Sequence, residues 1–164
     1  MNLKNITLIA LTGSCFIQTG AQLFAVSMIV STLAQAPPRS FAMLQGEYGY
    51  NSSSFWEIVP TITFLLFIIA LITNWKTQRK KLILFALTLF LIAGILAAFF
   101  LEPIFADIIK KGYSDQVDTA LQVQAQRWYI FDWMVWILSL VSALTLLVAL
   151  TRPTKKMYEE NVLS

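Results

Sequence analysis

Four long apolar segments without any charged residue dominate the pattern along the chain. They lie between Lys4 and Arg39, Glu57 and Lys76, Lys81 and Glu102, and Asp132 and Arg152. Each holds at least about 18 residues, close to the roughly 20 that a helix needs to cross the hydrocarbon core of a bilayer. Because a bilayer offers backbone groups no water, segments this apolar must satisfy their own hydrogen bonds as helices. The pattern predicts an all-α protein, a four-transmembrane-helix bundle.

Helix breakers and capping residues set the expected limits of these helices. The pattern predicts helices at about residues 6–33, 55–75, 80–101 and 123–151. Ser54, with Glu57 three residues later, has the form of a capping box at the start of the second helix. We expect the third helix to end near Pro103, followed by a separate short amphipathic helix over residues 104–111.

The first segment also has some features of a secretory signal. Ala34-Gln35-Ala36 has the A-x-A form of a cleavage site, but Pro37 follows it directly. The apolar part is also far longer than the 7–15 residues usual in a signal peptide. We therefore expect an uncleaved first transmembrane helix.

The composition agrees with a single integral membrane domain over residues 1–164. Hydrophobic residues make up 57% of the chain and charged residues 13%, and the mean hydropathy is +0.68. The net charge of +3 does not indicate nucleic-acid binding, because the basic residues cluster at the membrane edges. The chain has no histidine and one cysteine, Cys15, which removes His-ligated haem, most transition-metal sites and an intrachain disulfide. We predict no metal site and no cofactor, and a bound organic cofactor or a partner subunit stays open as the alternative.

The distribution of basic residues predicts the orientation in the membrane. Eight of the 12 lie at one end of the expected bundle: Lys4, Lys76, Arg79, Lys80, Lys81, Arg152, Lys155 and Lys156. The other four lie in or beside the first and third loops: Arg39, Lys110, Lys111 and Arg127. Because Lys-rich and Arg-rich loops stay in the cytoplasm, we expect both termini and the second loop there. The short second loop predicts antiparallel helices two and three, in an antiparallel bundle.

A stripe of polar residues follows one face of helix one. Ser14, Gln18 and Gln22 are spaced four apart and therefore share that face. Buried amides in lipid cost free energy unless they are paired, so the stripe is expected to face other helices. Two interpretations are open: hydrogen bonding between helices, or the lining of a ligand cavity.

Helix four carries a denser constellation. Trp128, Asp132 and Trp136 follow one another at four-residue steps. Ionisable residues within membrane helices usually serve function, which makes Asp132 the candidate catalytic residue and proton acceptor. The alternative is an interfacial aromatic belt in which Asp132 pairs with Arg127 or is solvated. We expect the outer helix ends to bring these further residues towards Asp132 as ligand-binding groups: Glu57, Glu102 and Arg127.

Three fragments give the chain a family resemblance. They are the Pro-rich exit from helix one through Trp56 and Pro60, Leu101-Glu102-Pro103-Ile104, and the run from Arg127 to Trp133. In this order they resemble the anthrone-oxygenase-like family of small four-helix membrane proteins. Fungal members of that family resemble cofactor-free oxygenases of polycyclic anthrones, whereas many bacterial members have no assigned role. We expect the protein to lie in the bacterial cytoplasmic (inner) membrane.

The chain also departs from the pattern of that family. It keeps Pro103 and Trp128, but Phe105 stands where the family has Asn. Asp132 replaces a His or Asn, and Val135 falls where Arg is usual. Asp132 thus occupies the polar position that the resemblance assigns to the site.

Two hypotheses for the function follow. In the first, an outer-leaflet pocket binds a small apolar or aromatic molecule, as a binding protein or an anthrone-oxygenase-like enzyme. In the second, the chain is a non-catalytic subunit or homo-oligomer that packs against other membrane helices through small residues, among them Gly13, Gly20 and Gly94. Membrane lipid is an expected partner in both.

Overall fold

The computed structural model of the protein describes residues 2–154, whose regular elements are all helical. Four helices are long and apolar enough to cross a membrane, as predicted. They are α1 (Leu3–Leu33), α2 (Ser53–Asn74), α3 (Lys80–Ile109) and α4 (Thr119–Thr151). A short 3-10 helix, Arg39–Leu44, lies between α1 and α2. Lys155 and Lys156, two of the eight basic residues counted as cytoplasmic, lie outside the described residues.

The start of α2 differs in detail from the predicted capping box. The helix begins at Ser53, so Ser54 lies inside it. The side-chain oxygen of Asn51 accepts hydrogen bonds from the backbone N–H of Ser53 at 3.0 Å and from its hydroxyl at 2.8 Å. Asn side chains readily bond to the backbone two residues further on, and Asn51 forms such a bond at the start of α2.

The end of α3 corrects the prediction that this helix stops near Pro103. The helix continues through Pro103 to Ile109, and the expected separate helix over residues 104–111 is its last part. A proline lacks the backbone N–H and crowds the carbonyl of the preceding turn. A π-helical segment, Ala97–Leu101, directly precedes Glu102 and Pro103. This segment already interrupts the regular hydrogen-bond ladder, so the proline falls where the helix tolerates it.

The described residues divide into two compact units. The first unit comprises residues 2–19, 54–91 and 138–154, and the second comprises Gly20–Ser53 and Ile92–Ile137. α1, α3 and α4 contribute residues to both units, whereas α2 from Ser54 onwards belongs to the first.

The first unit has a core of large apolar side chains interleaved with small ones. Its buried cluster consists of Leu8, Leu11, Cys15, Phe67, Ala70, Ile83, Ala86, Ala143, Leu146 and Ala149. Small residues let helices approach closely. The hydroxyl of Ser142 on α4 accordingly reaches the backbone carbonyl of Ala86 on α3 and donates to it at 2.8 Å.

Arg79, in the loop between α2 and α3, ties three parts of the first unit together. Its side chain is only 5% exposed. Nε donates to the carbonyl of Arg152 at 2.8 Å, and Nη2 donates to that of Leu150 at 3.2 Å. Nη1 donates to the side-chain oxygen of Asn5 at 2.7 Å. The last carbonyls of a helix have no intrahelical donors and carry partial negative charge, so this cation caps α4 and links it to α1.

In the second unit, two glutamines of α4 likewise donate hydrogen bonds to backbone carbonyls at the end of α1. Nε2 of Gln122 donates to the carbonyl of Gln35 at 2.6 Å. Nε2 of Gln126 donates to the carbonyl of Ala34 at 3.1 Å. Both carbonyls follow the last turn of α1, where no backbone donor is available. These bonds tie the end of α1 to the first turns of α4.

We expect Arg79→Lys to lower the free energy of unfolding by about 2 kcal/mol, because a lysine keeps the charge but cannot supply a planar fork of donors to three acceptors. Unfolding in mixed micelles of a mild detergent and sodium dodecyl sulfate measures the change. Arg152→Lys is the matched control, since its backbone carbonyl remains in place as an acceptor. Equal stability of the two variants would contradict this role of Arg79.

Candidate functional site

Asp132 lies on the inward face of α4. In the second unit this face is formed by residues 121, 125, 128, 132 and 135, which recur at the three- and four-residue spacing of a helix and are all buried. The Asp132 side chain is 7% exposed. Among the described residues, Arg79 and Asp132 are the two buried charged side chains. Among the described residues, Asp132 is therefore the one carboxylate whose side chain is buried.

Gln22 of α1 is the partner that the second unit supplies to this carboxylate. The Gln22 side chain is itself 7% exposed, and a hydrogen bond joins it to the Asp132 side chain. The amide NH₂ is the donor and a carboxylate oxygen is the acceptor. Two residues that the sequence singled out on different helices thus meet in the second unit. A neutral amide partner leaves the negative charge of a carboxylate uncompensated.

Aromatic rings pack next to this pair along α4. Phe105 of α3 stacks on Trp128, with ring centroids 4.9 Å apart and an interplanar angle of 20°. Trp128 is buried beneath it. Trp136 is half-buried and meets Trp133 edge to face at 5.3 Å. Phe105 therefore occupies a ring face of Trp128 that a flat aromatic ligand would otherwise use.

The other predicted charged site residues do not share this environment. Glu102 and Arg127, which also belong to the second unit, are exposed. Glu57 is exposed in the first unit. The salt bridge found within residues 2–154 is the exposed pair Lys110–Asp107 at 2.9 Å. Glu57, Glu102 and Arg127 are thus exposed whereas Asp132 is buried, and their expected convergence on Asp132 as ligand-binding groups stays a prediction.

The polar stripe of α1 divides between the two units. In the first unit, the hydroxyls of Ser14 and Thr63 are hydrogen-bonded across α1 and α2 at 2.7 Å. Gln18 is half-buried, and its Oε1 atom has no hydrogen-bond partner among the described residues. Ser14 thus forms a hydrogen bond between helices, as one of the two interpretations of the stripe expects. Gln22 is hydrogen-bonded to Asp132. Gln18 keeps an unused acceptor.

Two surface grooves of the described residues lie away from Asp132. One groove, in the first unit, has a volume of about 500 Å³ and is lined by Lys4, Ile72, Thr73, Trp75 and Lys76. A smaller one of about 150 Å³, in the second unit, is lined by residues 41, 44, 45, 109, 112 and 113. None of the predicted site residues lines either groove.

Residues 2–154 contain no group of three or more His, Cys, Asp or Glu side chains that could hold a metal ion.

No family model matches the chain, and no curated protein or solved structure matches it either.

Phe105, which stacks on Trp128, was not singled out from the sequence. The available signal was an aromatic residue two positions after Pro103. A large aromatic residue there is able to stack on another aromatic ring, such as that of Trp128. The stack of Phe105 on Trp128 also brings α3 into the candidate site.

We expect Gln22 and Asp132 to be energetically coupled. Gln22→Leu leaves the buried carboxyl group without its donor, whereas Gln22→Leu combined with Asp132→Leu removes both partners together. The double variant should therefore be more stable than the sum of the single effects predicts, by about 1 kcal/mol. Unfolding of the four proteins in mixed micelles measures this coupling. Strictly additive effects would show that the pair contributes nothing.

Proposed function

We propose that the protein is a four-helix integral membrane protein that binds a small flat aromatic molecule beside Asp132. The observation that carries this proposal is the burial of Asp132 with a neutral partner, Gln22. A carboxylate costs roughly 2.5–3.5 kcal/mol at the centre of a transmembrane helix on insertion scales, and less towards the membrane interface. Hydrogen bonds between membrane helices average about 0.6 kcal/mol, so the bond to Gln22 stabilises the buried carboxylate only weakly. A functional role explains a residue that stability alone disfavours.

The position of Asp132 along α4 suits a site near the outer edge of the hydrocarbon core. The charge-free run that follows it, residues 133–151, is about 28 Å long at 1.5 Å per residue. That length matches the roughly 30 Å core of a bilayer, and α4 as a whole exceeds it. The tryptophans around Asp132 have the amphipathic character of residues at the membrane interface. A ligand dissolved in the outer leaflet could reach this depth.

The chemistry of the site suits an aromatic ligand with a polar substituent. The carboxylate of Asp132 can accept a hydrogen bond from a ligand hydroxyl or remove a proton from it, and Gln22 can donate to a carbonyl. The stacking surface is Trp128, which Phe105 now covers. In the enzymatic form of the proposal, which follows the anthrone-oxygenase resemblance, Asp132 is the general base. Binding then requires Phe105 to leave Trp128.

The orientation belongs to the same proposal. The eight basic residues at one end favour cytoplasmic termini and a cytoplasmic loop between α2 and α3, with the bundle antiparallel. The loop of residues 75–79 is short enough to join two antiparallel neighbours. With this orientation Asp132 belongs to the outer half of the membrane.

A second candidate function is packing against other membrane helices as a subunit or homo-oligomer. Gly13, Gly20 and Gly94 are exposed, and a Cβ atom built at any of them meets no atom within 4 Å. These small residues therefore do not serve the internal packing of the chain. They leave shallow surfaces that a second helix could approach.

We expect anthrone, a flat tricyclic ketone, to quench the tryptophan fluorescence of the purified protein in a saturable way. Asp132→Asn keeps the size of the side chain but removes the acceptor charge, and it should weaken this binding at least about tenfold. Phe105→Leu should tighten binding, because it uncovers the face of Trp128. Asp107→Asn is the matched control, since Asp107 is exposed and pairs only with Lys110 at the surface.

Equal affinity of the wild-type protein, Asp132→Asn and Asp107→Asn would exclude Asp132 from the site. An absence of saturable quenching in all variants, together with a dimer in native mass spectrometry, would favour the subunit function instead.

We expect an impermeant maleimide to label Tyr48→Cys on intact cells and to label Thr154→Cys only after permeabilisation. Tyr48 is 93% exposed in the first loop, and Thr154 follows the end of α4. Both substitutions are made in a Cys15→Ala background, which removes the native thiol. The reverse labelling pattern would invert the proposed orientation.

A further inference from the structure

The larger groove of the first unit lies where the start of α1 meets the end of α2. It is lined by Lys4 and Lys76, each of which carries an ammonium group, and by Thr73. Ile72 and Trp75 form its apolar walls, and Trp75 is 51% exposed. A groove with cationic and apolar sides suits a ligand that is itself anionic at one end and apolar at the other.

Hydrogen bonds between the two helices hold the walls of this groove in place. Nδ2 of Asn74 donates to the carbonyl of Lys4 at 3.2 Å. The hydroxyls of Thr7 and Thr73 are hydrogen-bonded at 2.9 Å. Asn74 is fully buried, so the backbone that presents Lys4 is tied to the end of α2. The spacing of the two lysine backbones is therefore set before any ligand binds, which lowers the entropic cost of binding.

The charge around the groove is one-sided. Among the described residues of the first unit, Glu57 is the one carboxylate. It precedes Lys76 by 19 positions, most of them in α2, which corresponds to about 28 Å along a helix. Lys80 lies over the Trp75 ring with its Nζ 3.5 Å from the centroid and adds to the positive charge. Within the described residues of the first unit, the lysines of the groove thus have no carboxylate nearby to neutralise them.

We infer that this groove binds the phosphate of an anionic phospholipid, with Lys4 and Lys76 as the phosphate ligands. A soluble phosphate shares the headgroup chemistry, but the apolar side of the groove favours the lipid. Ile72 is 68% exposed, and Ile69 and Leu65 on the preceding turns of α2 are exposed as well, which provides an apolar track for an acyl chain. Basic pockets between transmembrane helices bind anionic headgroups in this manner. Trp75 suits the level of the headgroups.

Native mass spectrometry with added phosphatidylglycerol or phosphatidylcholine tests the assignment. The wild-type protein should retain phosphatidylglycerol with clear preference. Lys4→Gln combined with Lys76→Gln should reduce that preference roughly 30-fold, the factor expected for two lysines near a headgroup. Lys81→Gln combined with Arg152→Gln is the matched control, because it removes two charges from the first unit without touching the lining of the groove.

Several outcomes would overturn the inference. They are equal retention of the two lipids by the wild-type protein, an equal loss of preference in both double variants, and displacement of phosphatidylglycerol by millimolar inorganic phosphate. The single variant Lys76→Gln, whose side chain is exposed, guards against misfolding of the double variant. It should lose part of the preference while its unfolding transition stays unchanged; an undiminished preference would also count against the groove. Because the measurement uses purified protein, it is independent of the orientation and of ligand binding at Asp132.

Discussion

A hydrocarbon environment supplies no hydrogen-bond partners, so each polar group that the helices turn inward needs a partner within the protein. The two described charged residues that are buried meet this constraint with neutral partners. Arg79 donates to two carbonyls and an amide oxygen, whereas Asp132 accepts from the amide of Gln22. Neither has an opposite charge beside it among the described ion pairs. The hydrogen bonds of the two residues nevertheless differ.

The two buried charged groups differ in the partners of their hydrogen bonds. All three nitrogens of Arg79 have acceptors, and two of these acceptors are the end carbonyls of α4, which need donors in any case. Arg79 thereby completes a helix end. A carboxylate, in contrast, has about four acceptor positions, and the hydrogen bond to Gln22 uses one of them. The proposed function centres on Asp132 because a buried carboxylate with a neutral partner does not complete a helix end.

Aromatic packing covers the tryptophan that lies one turn before Asp132. Trp128 is covered by Phe105, which belongs to the last part of α3 beyond Pro103. This part follows the π-helical segment Ala97–Leu101, where the regular backbone ladder is interrupted. A helix is easier to displace beyond such an interruption than within a regular stretch, because fewer regular hydrogen bonds resist the movement. A ligand that stacks on Trp128 would thus have to replace the contact between Phe105 and Trp128.

The sequence by itself determined the all-α class, the four membrane-length helices and most of their boundaries, because these follow from uninterrupted apolar length. It also singled out Gln22 and Asp132, since isolated polar groups in apolar helices stand out without knowledge of their neighbours. Only the tertiary structure decided that these two residues bond to each other while Glu102 and Arg127 stay exposed. The reason is that small differences in helix rotation and helix length select which side chains face inward. Residue spacing along a single helix carries no information about the helix that packs against it.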